Sequence, residues 1–249
     1  MALSTYHHRG THILYDPAYL AQPDHALLPA PGPAWLNPAA WQAKGLVVGS
    51  APGRGASQFL QVEDQAWVLR PYRRGGMVAR VNEQRYLWQG LERTRAFREM
   101  RLTLALYERG LPVPAPVAAL VCRQGPTYRA ALLTQRLAHS RALADCLDPD
   151  ATALLHDVGR VIRRFHDVGL DHVDLNARNL LISTDPASGR DKVWMIDFDR
   201  CRLRPAGAWQ QRNLARLERS LTRFSTANAS ALFAAICDGY HGADAPDQG

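Results

Sequence analysis

The sequence predicts an α+β protein with two lobes, an antiparallel β-sheet with one main helix in the first half and a mostly helical second half. Three observations lead to this prediction. Short apolar runs between turn residues fill the segment from Gly45 to Arg70, one periodic helix follows them, and two more periodic helices lie beyond residue 150. The chain has 249 residues, 47% of them hydrophobic and 21% charged, which suits one or two globular domains.

The lobes are expected at residues 41–134 and 135–249, after an N-terminal extension over residues 1–40. The extension is predicted because this segment is rich in Pro, His and Ala and contains the breaker Pro29–Pro33. The strands expected in the first lobe are Gly45–Gly49, Phe59–Val62, Trp67–Arg70 and Tyr128–Thr134. A glycine-rich turn, Ser50–Gly55, separates the first two of them, and turns of this kind can lay backbone N–H groups over phosphates.

Thr94–Arg109 is expected to form the main helix of the first lobe. Its apolar residues recur at helical spacing, with Thr94 as N-cap and Gly110 and then Pro112 as the stop. Glu99 lies on this helix. It is either a functional carboxylate or a solvated charge among the arginines Arg95, Arg98 and Arg101.

The second lobe is expected to hold three helices and one hairpin. The helices are Arg141–Leu147, Ala153–Val168 and Trp209–Phe224, and the hairpin joins Asn179–Ser183 to Val193–Ile196 across a turn at residues 185–189. The last helix alternates leucines with Arg212, Arg216, Arg219 and Arg223. Such a basic amphipathic helix either lies on anionic lipid or covers a core.

Residues 172–179 read His-Val-Asp-Leu-Asn-Ala-Arg-Asn, and the hairpin ends in Ile196-Asp-Phe-Asp199. This pairing resembles the catalytic loop and metal-binding strand of protein kinases. In that pattern Asp174 accepts the proton of the attacking hydroxyl, while Asn179 and Asp197 are the metal ligands. The alternative is that Asp174 and Asp197 only cap local turns.

The net charge of +7 and the isoelectric point near 9.6 favour an anionic partner. Lys44 and Lys192 are the only lysines, and this arginine bias suits bidentate binding of phosphate and carboxylate, although a GC-rich genome would produce it too. No apolar run is long enough to span a bilayer, and no secretory signal is evident at the start. The four cysteines lack metal-binding spacing. A cytosolic or peripheral protein is therefore expected.

Stretches throughout the chain resemble the lipopolysaccharide kinase family within the protein-kinase-like fold, in particular kinases of 3-deoxy-D-manno-octulosonic acid (Kdo). The stretches are Ile13–Asp16, Gly53–Gly55, Val68–Gly76, Glu92–Glu99, Gly110–Pro114, Asp174–Asn179, Ile196–Arg200 and Leu214–Leu221. The resemblance implies transfer of the γ-phosphate of ATP, with Mg²⁺, to the 4-hydroxyl of Kdo on a lipid A precursor. It places this reaction at the cytoplasmic face of the inner membrane, with the protein bound peripherally to the anionic surface.

The resemblance also assigns roles in nucleotide and acceptor binding. The expected nucleotide-binding residues are Gly49, Gly53, Gly55, Arg70, Glu99 and Gln135, with Gln135 at the hinge next to adenine. Arg73 and Arg74 are expected to bind the polyanionic acceptor, although they could equally be incidental charges in a solvated turn. Only about a dozen residues separate Asp197 from Trp209, without the Ala-Pro-Glu of protein kinases, which favours a small-molecule or lipid-linked sugar acceptor.

Two residues depart from the protein-kinase pattern. Arg70 stands where the third strand usually carries lysine, which leaves Lys44 as the alternative phosphate contact, and Asp199 replaces the glycine of Asp-Phe-Gly. Asp199 could instead pair with Arg200 or with a group of the catalytic loop. The rival functions are a heptose or aminoglycoside-type kinase, a lipid-binding pseudokinase, and a nucleic-acid-binding protein, for which no base-reading motif is evident.

Overall fold

The computed structural model describes residues 2–51, 57–72 and 85–242. The chain divides into two compact units, the first comprising residues 1–108 and 115–136 and the second residues 109–114 and 137–249. The predicted two-lobe α+β class is confirmed. None of the helices in the described ranges has a stretch that is long and apolar enough to cross a bilayer.

The first unit is built on one antiparallel sheet. Its strands are β1 (Ser4–His8), β2 (Thr11–Tyr15), β3 (Val47–Ser50), β4 (Gln58–Val62), β5 (Gln65–Pro71), β6 (Tyr86–Leu87), β7 (Pro116–Gln124) and β8 (Thr127–Gln135). Their order is β1-β2-β7-β8-β5-β4-β3, and β6 pairs with β8. The described residues of this unit form two α-helices, α1 (Pro38–Ala43) and α2 (Arg95–Glu108).

Both faces of this sheet are covered, because neighbouring residues of a strand point to opposite faces. On β8, Leu132 packs with Phe97 and Met100 of α2 in one core cluster. Leu133, the next residue, packs in a second cluster with Trp35 and Trp41. The main helix therefore covers one face, and the segment that leads into β3 covers the other.

The predicted N-terminal extension over residues 1–40 is wrong. β1 and β2 continue the main sheet, with Ile13 opposite Leu120 in an antiparallel register. Trp35 and Trp41 are fully buried, and the Trp35 indole donates to the Pro29 carbonyl at 2.7 Å inside the supposed breaker. The proline-rich composition reflects an irregular path, but the apolar side chains on that path complete the core.

β7 was not anticipated. Its residues from Pro116 to Cys122 are buried on both faces, so the strand reads as a continuous apolar run and lacks the alternation that identifies a half-exposed strand. As a central strand it pairs with both β2 and β8.

The second unit, as far as residue 242, holds three α-helices and two small sheets. The helices are α3 (Thr152–Asp167), α4 (Trp209–Phe224) and α5 (Ala229–His241), and the strands are β9 (Ser140–Ala142), β10 (Leu170–Asp171), β11 (Leu180–Thr184), β12 (Asp191–Met195) and β13 (Arg202–Leu203). α3, α4 and the β11–β12 hairpin confirm the predictions. The predicted helix Arg141–Leu147 is wrong, because its first residues pair with β11 and only a short 3-10 turn follows.

α5 was not anticipated, and it lies tightly against α3. A Cβ atom built on Gly159 of α3 would lie 2.0 Å from the Ile236 carbonyl oxygen, and one built on Gly239 of α5 would lie 2.2 Å from the His156 carbonyl oxygen. Only glycine permits this approach of the two backbones. α3 leads directly into β10 and the catalytic loop, so this contact fixes the element from which the loop begins.

Candidate active site

The catalytic loop, residues 172–179, is closed by hydrogen bonds to its own backbone. The side-chain amides of Asn176 and Asn179 both donate to the Asp174 carbonyl, at 2.8 and 3.0 Å. The Ile196 N–H donates to the Asn179 carbonyl at 3.0 Å. The Asn179 backbone is thus bonded directly to Ile196, the residue before Asp197. The predicted hairpin requires this arrangement at the end of the loop.

His172 anchors the beginning of the loop from inside the core. Its ring Nε2 lies 3.0 Å from the Ile196 carbonyl oxygen, and since a carbonyl only accepts, Nε2 carries the proton. Burial lowers the pKa of His172 below its ordinary value, which favours the neutral ring. His172 is therefore a structural link between the loop and the strand that delivers Asp197.

The turn after β12 contains two residues with left-handed backbone conformation, and Asp197 is one of them. Asp197 and Arg200 have positive φ angles of 65° and 61°, whereas Asp199 is not in this region. The missing glycine at position 199 therefore imposes no backbone strain there. Of the two partners considered for Asp199, Arg200 forms a loose ion pair with it, with 3.9 Å between Arg200 Nε and the Asp199 carboxylate.

A buried polar network that sequence reasoning missed lies beneath the loop. The Asn213 side chain of α4 accepts from the His172 N–H at 2.9 Å and donates to Asp171 at 3.1 Å. Arg204 donates to the other Asp171 oxygen, also at 3.1 Å. Each oxygen of this buried carboxylate thus has a partner. An asparagine next to the leucine stripe of α4 was the available signal, because buried amides generally serve a hydrogen-bonding purpose.

The predicted general base, Asp174, is accessible and paired with a residue that was not predicted to act. Arg216 of α4 donates from Nη1 to Asp174 Oδ1 at 3.1 Å. The two side chains remain 47% and 55% exposed. Asp174 can therefore reach a solvent-borne hydroxyl while one of its oxygens is held in place.

In the first unit, β5 and α2 bring Arg70 and Glu99 together. Arg70 Nη2 lies 2.5 Å from Glu99 Oε1, and the Tyr72 hydroxyl donates to the other carboxylate oxygen. The Glu99 side chain is only 2% exposed, which rules out a solvated charge. The expected strand-to-helix ion pair is present, with arginine in the lysine position.

Among the other residues predicted to contact the nucleotide, some lie in described strands and others lie outside the described residues. Gly49 lies in β3, opposite Phe59 of β4, but Gly53 and Gly55 lie outside the described residues, as do Arg73 and Arg74. Lys44 donates to the Ala26 carbonyl at 3.0 Å, so it is engaged within the N-terminal segment. The N–H of Gln135 donates to the Ala115 carbonyl, so a contact of Gln135 with adenine stays a prediction and would have to use its carbonyl or side chain.

Comparison with known proteins shows the family of this chain. Residues 38–236 match the family described as lipopolysaccharide kinase (Kdo/WaaP). A 3-deoxy-D-manno-octulosonic acid kinase of Stenotrophomonas maltophilia (strain K279a) is 45% identical over 85% of this chain and 80% of its own length. A protein of the same name from Xanthomonas campestris pv. campestris (strain B100) is 47% identical over the same shares.

The fold has a solved counterpart. The structure described as WaaP in complex with acyl carrier protein superposes with a TM-score of 0.52 and 20% identity, covering 81% of this chain and 82% of that one. Fold and site together define a kinase-like phosphotransferase with an alcohol group as acceptor. The chain belongs to the lipopolysaccharide kinase (Kdo/WaaP) family.

Proposed function

We propose that this chain transfers the γ-phosphate of ATP to the 4-hydroxyl of the Kdo residue on a lipid A precursor, in lipopolysaccharide core biosynthesis. The observation that carries the proposal is the catalytic loop itself, with an accessible Asp174 carboxylate beside an Asn179 that is hydrogen-bonded to the strand before Asp197. The relatives named as Kdo kinases support the choice of acceptor. They favour it over a heptose or aminoglycoside.

Asp174 acts as the general base in this proposal. It takes the proton of the acceptor hydroxyl as the hydroxyl oxygen bonds to the γ-phosphorus, and the bond from that phosphorus to the bridging oxygen breaks, which releases ADP. Arg216 holds Asp174 through its carboxylate, and the side-chain amides of Asn176 and Asn179 hold it through its backbone carbonyl. A fixed carboxylate suits a reaction whose catalysis depends mainly on positioning and electrostatics.

Asn179 and Asp197 provide the oxygen ligands that Mg²⁺ prefers. The Asn179 amide nitrogen is committed to the Asp174 carbonyl, which leaves its Oδ1 as a hard ligand. Asp197 adds a carboxylate from the neighbouring turn. The donor set therefore fits Mg²⁺, which would neutralise charge on the ATP phosphates when bound. These intact residues argue against a lipid-binding pseudokinase.

Arg70 is proposed to contact the ATP phosphates in place of the usual lysine. Glu99 and Tyr72 hold it at one side of its guanidinium, and the planar fork offers further N–H donors suited to phosphate oxygens. We further propose that the reaction takes place at the cytoplasmic face of the inner membrane, where anionic lipid attracts a chain of net charge +7.

The test is phosphate transfer from labelled ATP to Kdo-bearing lipid A precursor, with heptose-terminated and aminoglycoside acceptors alongside. We expect Asp174→Asn to lower the rate by about 10² to 10⁴ while retaining ATP affinity, because the general base acts on the acceptor. Asp150→Asn, an exposed carboxylate between β9 and α3, is the matched control and should transfer normally. Asn179→Ala and Asp197→Asn should raise the Mg²⁺ concentration needed for half-maximal rate.

Two results would contradict the proposal. Wild-type turnover in Asp174→Asn would remove the assignment of the base, and a stronger rate with one of the other acceptors would replace Kdo as the substrate. Unchanged magnesium dependence in both Asn179→Ala and Asp197→Asn would make these residues structural.

A further inference from the structure

Helix α4 lies along the catalytic loop and contacts it at four positions. Each of four successive positions on one face of the helix contacts one position of the loop. These contacts are Asn213 with the His172 N–H, Arg216 with the Asp174 carboxylate, Ser220 with the Ala177 N–H, and Phe224 under the Arg178 guanidinium. Spacings of three and four residues place all four on the same side of the helix.

Three of these contacts have an evident structural purpose. Asn213 satisfies a buried N–H, Ser220 accepts from the Ala177 N–H at 3.1 Å, and the Phe224 ring lies 5.0 Å from the Arg178 guanidinium carbon. Arg216 differs, because it pairs two half-exposed charges. An exposed ion pair contributes little to stability, so stability does not account for a cation at this position.

A cation beside Asp174 has a purpose when the acceptor binds. In the proposed function the hydroxyl that approaches Asp174 is on C4 of Kdo, and the sugar's own carboxylate, on C1, is separated from C4 by only two carbons. Two carboxylates this close repel each other unless a cation accompanies them.

Arg216 has the donors for this purpose. It gives one N–H to Asp174, and a guanidinium carries five. Among the described residues, no other hydrogen-bond partner of Arg216 is present. Arg212 and Arg219 are exposed on the same helix, but neither contacts Asp174 within the described part of the chain.

We propose that Arg216 binds the carboxylate of the acceptor sugar and so aligns its hydroxyl with Asp174. The inference rests on the proposed function and adds a specificity-determining residue to it. The lipid A phosphates are a second source of negative charge. They belong to other sugars of the acceptor, however, whereas the Kdo carboxylate is fixed relative to the reacting hydroxyl.

The experiment is a double-mutant cycle in which one change is made in the enzyme and the other in the acceptor. Wild type, Arg216→Ala and Arg216→Lys are assayed with three acceptors: Kdo-lipid A precursor, the same molecule with the Kdo carboxylate converted to its methyl ester, and the same molecule without lipid phosphates. We expect Arg216→Ala to raise the acceptor KM about 10- to 100-fold, as loss of a charge-assisted pair does. The KM for ATP should not change. Arg160→Ala is the matched control, because it also removes an exposed arginine that pairs with an exposed aspartate.

The inference is tested by whether the effect of the acceptor change on KM depends on the residue at position 216. Methyl esterification should raise the KM of the wild type by a similar factor and should have little further effect in Arg216→Ala, because the partner is already missing. Arg216→Lys keeps the charge and should show an intermediate loss, and it serves for the cycle if Arg216→Ala does not fold. Equal effects of the ester in wild type and variant would overturn the inference, as would coupling to the lipid phosphates instead. A wild type that transfers no phosphate to the Kdo acceptor would overturn the proposed function and this inference together.

Discussion

The arginine at position 70 is the residue in which this chain departs most from the kinase pattern. Its guanidinium is held by Glu99, and it lies 4.9 Å from the centre of the Tyr72 ring. A lysine has no planar fork to serve a carboxylate and a phosphate at once. The Tyr72 hydroxyl satisfies the second carboxylate oxygen, which explains how a buried glutamate is tolerated.

Replacing the two candidate phosphate contacts separately distinguishes them. We expect Arg70→Ala to raise the KM for ATP about 10- to 100-fold, because charged hydrogen bonds contribute about 1.5–3 kcal/mol each. Lys44→Ala should leave that KM unchanged, since Lys44 is exposed and donates to the Ala26 carbonyl. Both are measured by steady-state kinetics at saturating acceptor. The reverse pattern would move the phosphate contact to Lys44.

The helices of the second unit depend on a contact that a single methyl group would disturb. α3 and α5 meet at Gly159 and Gly239, where an added Cβ would collide with backbone atoms at 2.0 and 2.2 Å. Backbone cannot yield as the end of a flexible side chain can. Any separation of these helices also displaces the start of the catalytic loop, which follows α3.

Gly159→Ala should therefore lower the free energy of unfolding by at least about 2 kcal/mol, a typical cost of overpacking. Gly207→Ala is the control, because its Cβ would meet Trp209 at an ordinary 3.7 Å. Urea unfolding of the two variants and the wild type gives the comparison. A Gly159→Ala protein as stable as Gly207→Ala would mean that α5 packs less closely than described.

At the scale of the whole molecule, part of the positive charge is concentrated on helix α4. Arg212, Arg216, Arg219 and Arg223 recur along one exposed side of α4, the helix whose neighbouring face supports the catalytic loop. The leucines of α4 are buried, so the helix covers a core, which the sequence left as one of two alternatives. Arg212, Arg219 and Arg223 remain available for an anionic surface, whereas Arg216 pairs with Asp174.

We expect the triple variant Arg212→Gln, Arg219→Gln and Arg223→Gln to bind anionic vesicles more weakly than the wild type. Each basic residue near such a surface contributes about 1 kcal/mol. The control variant, Arg93→Gln with Arg98→Gln and Arg109→Gln, removes the same charge from other exposed positions. Co-sedimentation is measured at 0.05 and 0.5 M salt. Because exposed charges are screened over about 8 Å at physiological salt, binding that persists at high salt would contradict an electrostatic attachment.

The sequence by itself determined the elements whose signal is local. The stripes of α3 and α4, the hairpin of β11 and β12, and the spacing of Asp174, Asn179 and Asp197 are all contained within short windows, where helical or strand periodicity and turn residues act directly. For the same reason the kinase-like class and the family could be recognised from the residues alone.

Only the tertiary structure decided which distant segments complete these elements. Residues 1–40 join the sheet and its core, β7 becomes a strand between β2 and β8, and α5 closes on α3. The pairing of Asp174 with Arg216 joins residues 42 positions apart. Local patterns cannot specify such partners, because burial on both faces removes alternation from a strand, and because a long-range contact is set by how separately formed elements pack together.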